Sequence, residues 1–234
     1  CKPRTRSLED TVKVLMRLTA VLFDLDGTLT ESGEGIMNAA RAGLSAVGRA
    51  AGDSKMLKKL IGPPLSEGFS QIYGLGSEEI PNAIRAFRAY YESKGIFENK
   101  LYPGAAELLQ TLEVSGKKLY LASSKPEFQA KRVLAHFSLD TFFAGVAGGD
   151  DSRDGGDKEK IMARLISAYA IDVRSAVMVG DRAYDVRAAR SMGMLSIGVD
   201  YGYGSRRELE EAGASYIVSS IHSLQELLMR GLNE

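Results

Sequence analysis

The chain predicts an α/β fold: a parallel sheet with helices on both faces and an all-helical segment inserted after the first strand. Three observations lead there. Short apolar runs at 18–23, 119–122, 176–179 and 195–199 stop at small or acidic residues, as strands buried on both faces do. From Tyr102-Pro103-Gly104 onward these runs are separated by segments with apolar residues at helical spacing, and strands alternating with helices imply parallel pairing. Between about 32 and 100 the helical spacing continues without a strand-like run. The division expected is therefore an N-terminal tail over 1–17, an α/β core from 18–31 and 102–234, and a helical block over 32–101.

Residues 1–17 begin basic, but Glu9, Asp10, Lys13 and Arg17 interrupt any apolar stretch. They read as a tail or short peripheral helix and not as a secretory signal. The first strand starts at Leu18 and meets two carboxylates one residue apart, Asp24 and Asp26, followed by Gly27 and Thr28. Strand side chains alternate, so in a regular strand Asp24 and Asp26 point the same way and Leu25 the other. Two acids together at a buried strand end are costly unless a cation or a reaction uses them.

In the insert, Ile36, Ala40, Leu44 and Val47 mark one helix. Met56, Leu57, Leu60 and Ile61 mark a second, ended by Gly62-Pro63-Pro64, since proline cannot continue a helix. Leu65, Phe69, Ile72 and Tyr73 mark a third. Ile80, Ile84, Phe87 and Tyr91 mark a fourth, with Ser77-Glu78-Glu79 as its start. Beyond Gly104 come a helix stopped by Gly116, a strand over 119–122, and Ser124-Lys-Pro-Glu127, which reads as a capping box for the next helix. A weak strand over 144–149, a helix from about Lys158, a strand over 176–179, a helix over 185–192 and a strand over 195–199 follow. Ser205-x-x-Glu208 and Ser223-x-x-Glu226 read as caps of two further helices, with a short strand over 216–218 between them.

In such sheets ligands bind beyond the carboxyl ends of the strands. That rule selects Asp24, Asp26, Ser123, Ser124, Asp150, Asp151, Asp181 and Asp185. Composition excludes other classes. Lysine plus arginine equal aspartate plus glutamate at 30 each, so no global charge favours nucleic acid or an anionic membrane. The single cysteine, Cys1, permits no intrachain disulfide and suits a cytoplasmic location. No run approaches the roughly 18 apolar residues of a membrane helix.

Several motifs fail. Asp150-x-Ser152-x-Asp154-Gly155 starts like a calcium loop, but its twelfth position is Ile161 where a glutamate is needed. Gly116-Lys117 lacks the rest of a phosphate-binding loop, and Gly202-Tyr-Gly204 lacks the third glycine of a dinucleotide site. His136 and His222 are isolated, and Tyr90 and Tyr91 read as packing residues.

Asp24-Leu-Asp26-Gly-Thr-Leu-Thr30 resembles the first motif of haloacid dehalogenase superfamily phosphatases. Ser123, Lys158 and Gly180-Asp181-Arg-Ala-Tyr-Asp185 resemble the later motifs in order, and the helical block resembles that family's cap. Ile61-Gly-Pro-Pro-Leu65, Ser124-Lys-Pro-Glu127 and Gly202-Tyr-Gly204 look most like phosphoglycolate phosphatases. The resemblance implies a Rossmann-like core, Mg²⁺ and a small phosphorylated metabolite as substrate, phosphoglycolate first and a nucleoside monophosphate next. It implies Asp24 as nucleophile, forming an aspartyl phosphate, and Asp26 as acid and base. Metal ligands would be Asp24, the Asp26 carbonyl and Asp181, with Asp185 near by or acting through water. Ser123, Lys158, Ser124, Gly27 and Thr28 would hold phosphate, and Gly62 and Pro63 would face the site from the cap. Ser123 is preferred over Ser124, which the capping box claims, and Lys158 over Lys125 and Lys160. A monomer or homodimer without nucleic-acid or membrane partners is expected. A phosphomutase like β-phosphoglucomutase, or a non-enzymatic regulatory or binding protein that retains the fold, remains the alternative.

Overall fold

The computed structural model describes residues 18–61, 64–150 and 156–229. The expected tail over 1–17, the cap-loop residues Gly62 and Pro63, and Asp151 with the rest of 151–155 lie outside the described residues.

The chain enters a six-stranded sheet at β1 (Ala20–Phe23). The other strands are β4 (Lys118–Pro126), β5 (Phe143–Gly149), β6 (Ala176–Gly180), β7 (Leu195–Val199) and β8 (Tyr216–Val218). Their order is β5-β4-β1-β6-β7-β8, all parallel. Alternation on β1 explains why its apolar run has no polar positions. Val21 and Phe23 pack with Leu119, Leu121, Val177 and Val179 on one face. Ala20 and Leu22 pack with Tyr120 and Met178 on the other. Each such leucine or phenylalanine stabilises the fold by about 1.5–3 kcal/mol.

Helices cover both faces. Leu108, Leu109 and Leu112 of α5 (Ala105–Val114), Val133 of α6 (Glu127–His136) and Leu224 of α10 (Ile221–Met229) join the first face. Ile161, Met162 and Leu165 of α7 (Lys158–Tyr169) and Ala188 of α8 (Ala183–Ser191) join the second. The short α9 (Arg206–Ala212) packs Leu209 against Val186 of α8.

The inserted cap is α1 (Gly33–Ala46), α2 (Ser54–Lys58), α3 (Leu65–Tyr73) and α4 (Ile80–Tyr90). The last helix runs into one π turn, Tyr91–Gly95. Leu44, Leu57, Phe69 and Phe87 are buried within it, Phe69 meeting Phe87 edge to face at 6.5 Å. Both ends of the insert pair as a two-stranded antiparallel ribbon, β2 (Thr30–Glu31) with β3 (Lys100–Leu101). Two-residue strands leave no periodicity, so the sequence pattern does not show them.

Local signals were uneven. Ser205 does cap α9, its hydroxyl accepting the Glu208 N–H at 3.1 Å. Ser124 does not cap α6: β4 continues through Pro126, which stands at the N-cap without a side-chain bond. Pairing with β5 as far as Pro126↔Gly149 extends the strand past the hydroxyls. Ser223 lies inside α10, and Ser220 one turn earlier accepts its N–H at 3.1 Å. Glu79, the last residue of the expected Ser77-Glu78-Glu79 start, stands at the N-cap of α4.

Candidate active site

Regular pairing of β1 stops at Phe23, and the next residues turn sharply. The Asp24 N–H still reaches the Val179 carbonyl at 2.9 Å. The Leu25 carbonyl then accepts the Leu29 and Thr30 N–H groups at 2.9 and 3.0 Å. Gly27 has φ +88°, and a Cβ there would lie 2.2 Å from Asp181 Oδ2. Only glycine meets both conditions. Asp24 and Asp26 line one cavity, although the strand geometry that suggested this ends before either of them.

Lys158 opens α7, whose first turn is capped by the Asp157 carboxylate accepting the Glu159 and Lys160 N–H groups. This cap directs the Lys158 side chain back over the sheet. Its buried Nζ lies 2.8 Å from Asp24 Oδ1, 2.8 Å from Asp185 Oδ1 and 2.8 Å from the Ala122 carbonyl. Asp24 Oδ1 and the Ala122 carbonyl accept hydrogen bonds from it, and Asp185 Oδ1 is its ion-pair partner. Burial works against the Lys158 charge, but Asp185 and Asp24 hold its pKa above the ordinary lysine value. Lys160 pairs with Asp157 at the surface.

Asp181 follows β6 and is fully buried. Its Oδ2 accepts the Tyr203 N–H at 2.7 Å, while Oδ1 has no hydrogen-bond partner among the described residues. Asp185 Oδ2 accepts the Arg182 N–H at 3.1 Å, so Asp185 caps α8 while facing Lys158. Carboxylate oxygens of Asp24, Asp181 and Asp185 lie within 4.8 Å of one another. Burial, opposed by Lys158 and aided by Asp185, raises the Asp24 carboxyl to about 6. Burial, with Asp24 and Asp185 adding, pushes Asp181 well above its ordinary value. Three buried carboxylates face one ammonium, and Asp181 Oδ1 and Asp185 Oδ1 have no hydrogen-bond partner among the described residues. A hard divalent cation with oxygen preference fits that donor set.

Asp26 belongs to a second cluster. Its Oδ2 lies 2.6 Å from Lys125 Nζ, and Lys125 Nζ donates to the hydroxyl of Tyr91 from the cap at 2.6 Å. Lys125 is thus separate from the Lys158 site and not a substitute for it. Ser123 is buried beside it, its Oγ accepting the Lys125 N–H at 3.3 Å. Ser124 also lines the cavity, and its carbonyl accepts the Gly156 N–H at 3.0 Å. The Gly27 and Thr28 N–H groups bond within their own turn, to Thr30 at 2.7 Å and Leu25 at 3.3 Å.

The cavity measures about 400 Å³. Its floor is Asp24, Asp26, Ser123 and Lys158, and its roof is the cap residues Ile36, Leu60, Ile61, Leu65, Phe87 and Arg88. Arg182 pairs with Glu208 at 2.9 Å and also donates to the Ile61 carbonyl at 3.4 Å, so core meets cap there as well as at Tyr91. Sequence patterns gave no functional signal for Tyr91, which continues the apolar stripe of α4. Tyr203 was legible only as part of Gly202-Tyr-Gly204, whose glycines bring that loop against Asp181: a Cβ at Gly204 would lie 1.9 Å from the Asp181 carbonyl oxygen.

Residues 21–199 match the model of the haloacid dehalogenase-like hydrolases. A 5′-nucleotidase from Pseudomonas aeruginosa is 33% identical over 213 residues, 91% of this chain and 96% of that protein. The tyrosine-protein kinase PtkA of Mycobacterium tuberculosis is 34% identical over 88% of this chain and 70% of its own length. The crystal structure of a predicted phosphatase from Clostridium acetobutylicum superposes with a TM-score of 0.84 at 39% identity, covering 91% of this chain and 99% of that one. With the sheet, the helical cap and the aspartate cluster in hand, the match over most of the chain shows that this protein belongs to the haloacid dehalogenase-like hydrolases.

Proposed function

We propose that the protein is a Mg²⁺-dependent phosphomonoesterase acting through Asp24. The observation that carries this is the buried constellation of Asp24, Asp181 and Asp185 around Lys158 at the end of the central strand. Bound Mg²⁺, held by Asp24, Asp181 and the Asp26 carbonyl with Asp185 close by, would shield the nucleophile from the phosphoryl charge. An Asp24 carboxylate oxygen attacks phosphorus, and the bond to the leaving oxygen breaks with its electron pair. Asp26 gives that oxygen a proton, then takes one from the water that hydrolyses the aspartyl phosphate. Lys158 fixes Asp24 and offsets the negative charge of the site, and Ser123 and Ser124 border the phosphoryl position.

Among substrates, a nucleoside monophosphate ranks above phosphoglycolate. The cavity of about 400 Å³, roofed by apolar side chains and Arg88, exceeds what glycolate fills, and the Pseudomonas relative is a 5′-nucleotidase. The cap closes over the ester and opens for release, with 31–33 and 102–104 as hinges.

Phosphate release from a panel of nucleoside monophosphates, phosphoglycolate and sugar phosphates, with Mg²⁺ and with chelator, tests this. Release from nucleotides that stops on chelation is expected. Conversion to an isomer without net phosphate release would establish the phosphomutase alternative, and no turnover of any ester would leave the binding-protein alternative.

A further inference from the structure

We infer that Lys125 is a positioning residue for Asp26, and that Tyr91 makes this positioning depend on the seated cap. The inference rests on the phosphatase reading above, in which Asp26 carries the proton.

A carboxyl group has two oxygens, and only one can serve the leaving oxygen. Asp26 Oδ2 accepts a hydrogen bond from the Lys125 ammonium at 2.6 Å. Asp26 Oδ1 is buried and has no hydrogen-bond partner among the described residues. Lys125 therefore fixes the orientation of the Asp26 carboxyl.

Lys125 needs an anchor to do this. Its four-carbon side chain is flexible, yet its side chain is only 6% exposed here. The second contact comes from the cap: the Tyr91 hydroxyl at 2.6 Å, with the ammonium also 5.0 Å from the Tyr91 ring centre. Tyr91 is itself held by stacking on Phe87 at 5.9 Å. It opens the π turn that ends α4, and such turns recur at functional sites. A cap that swings away takes Tyr91 with it, and Lys125 and Asp26 lose their shared geometry. The proton donor is thus complete only while the cap covers the ester.

A role in proton delivery is separable from a structural one by leaving-group chemistry. Phenyl phosphate and p-nitrophenyl phosphate have nearly the same shape, but phenoxide needs protonation far more than nitrophenoxide does. kcat/KM for each reports the steps through loss of the leaving group. In Lys125→Met the ratio of kcat/KM for phenyl phosphate to that for p-nitrophenyl phosphate should fall at least about tenfold, within the range of general-acid effects. Tyr91→Phe, which keeps the ring and its stacking, should lower the same ratio to a smaller extent and covers the case in which Lys125→Met does not fold. An unchanged ratio in Tyr91→Phe overturns the dependence on the cap, and an unchanged ratio in Lys125→Met overturns the positioning role, whatever the loss in rate. Failure of the wild-type protein to hydrolyse either ester would overturn the phosphatase reading itself, and this inference with it.

Discussion

Lys158 Nζ lies 2.8 Å from Asp24 Oδ1, joining residues 134 positions apart across the mouth of the sheet. The same ammonium lies 2.8 Å from Asp185 Oδ1, so one buried cation neutralises part of a site built from three strand ends. Lys158→Met leaves those carboxylates without it. Removing one partner of a buried ion pair costs about 3–5 kcal/mol, and a loss of that order is expected in urea unfolding of the metal-free protein. Saturating Mg²⁺ should recover part of it. A loss under about 1 kcal/mol would show that the pair contributes little.

Asp24→Asn removes the attacking oxygen and keeps the shape. Turnover should fall at least about a thousandfold, with an unchanged circular dichroism spectrum. Activity near wild type would sink the nucleophile assignment.

The raised Asp24 carboxyl makes metal binding and pH compete. Its folded value of about 6 lies above its ordinary 3.8. The metal-free fold therefore gains stability from this group below pH 3.8 and loses that gain as pH rises through about 6. Mg²⁺ binds the ionised form, so the increase in Tm that it gives should be large at pH 7.5 and shrink as pH falls through about 6. Thermal unfolding at fixed Mg²⁺ across that range checks it, and a pH-independent increase would contradict it.

Gly27→Ala would put a Cβ 2.2 Å from Asp181 Oδ2 at a residue with φ +88°. Displacing Asp181 disturbs the aspartate cluster more than the core. Mg²⁺ affinity should weaken about 10–100-fold, read by titrating activity against Mg²⁺, while the core still melts cooperatively. Unchanged affinity would separate Gly27 from the metal site.

In the core, Phe23→Ala removes a fully buried ring at the C-terminal end of β1. A loss of about 3–5 kcal/mol is expected by denaturant unfolding, and a loss near zero would mean that the first face of the sheet repacks around the gap.

Much of this was legible in the chain. The strands with continuous apolar runs declared themselves because both faces of the sheet are covered, as Val21 and Leu22 show by packing to opposite sides. The helical cap was legible from its 3.6-residue spacing. Asp24, Asp181 and Lys158 were legible because each stands just past a strand or at the start of a helix, where an α/β sheet gathers its ligands. Ser124 was misjudged as a helix cap because a four-residue pattern cannot see that β5 pairs with β4 as far as Pro126.

What the sequence determined by itself is the periodicity of each element and the chemistry at its ends, since both are properties of neighbours along the chain. Which carboxylate meets which cation was decided only by the tertiary structure. Asp24 with Lys158 and Asp26 with Lys125 look interchangeable in the sequence. They are separated because α7 packs on a face of the sheet over β4 and β5 and sends Lys158 to Asp24 from that face, whereas Lys125 comes from the far end of β4 itself. The roof over them, and the contact of Tyr91 with Lys125, depend on how a helical insert sits on a sheet. That is fixed by long-range packing, which no local pattern records.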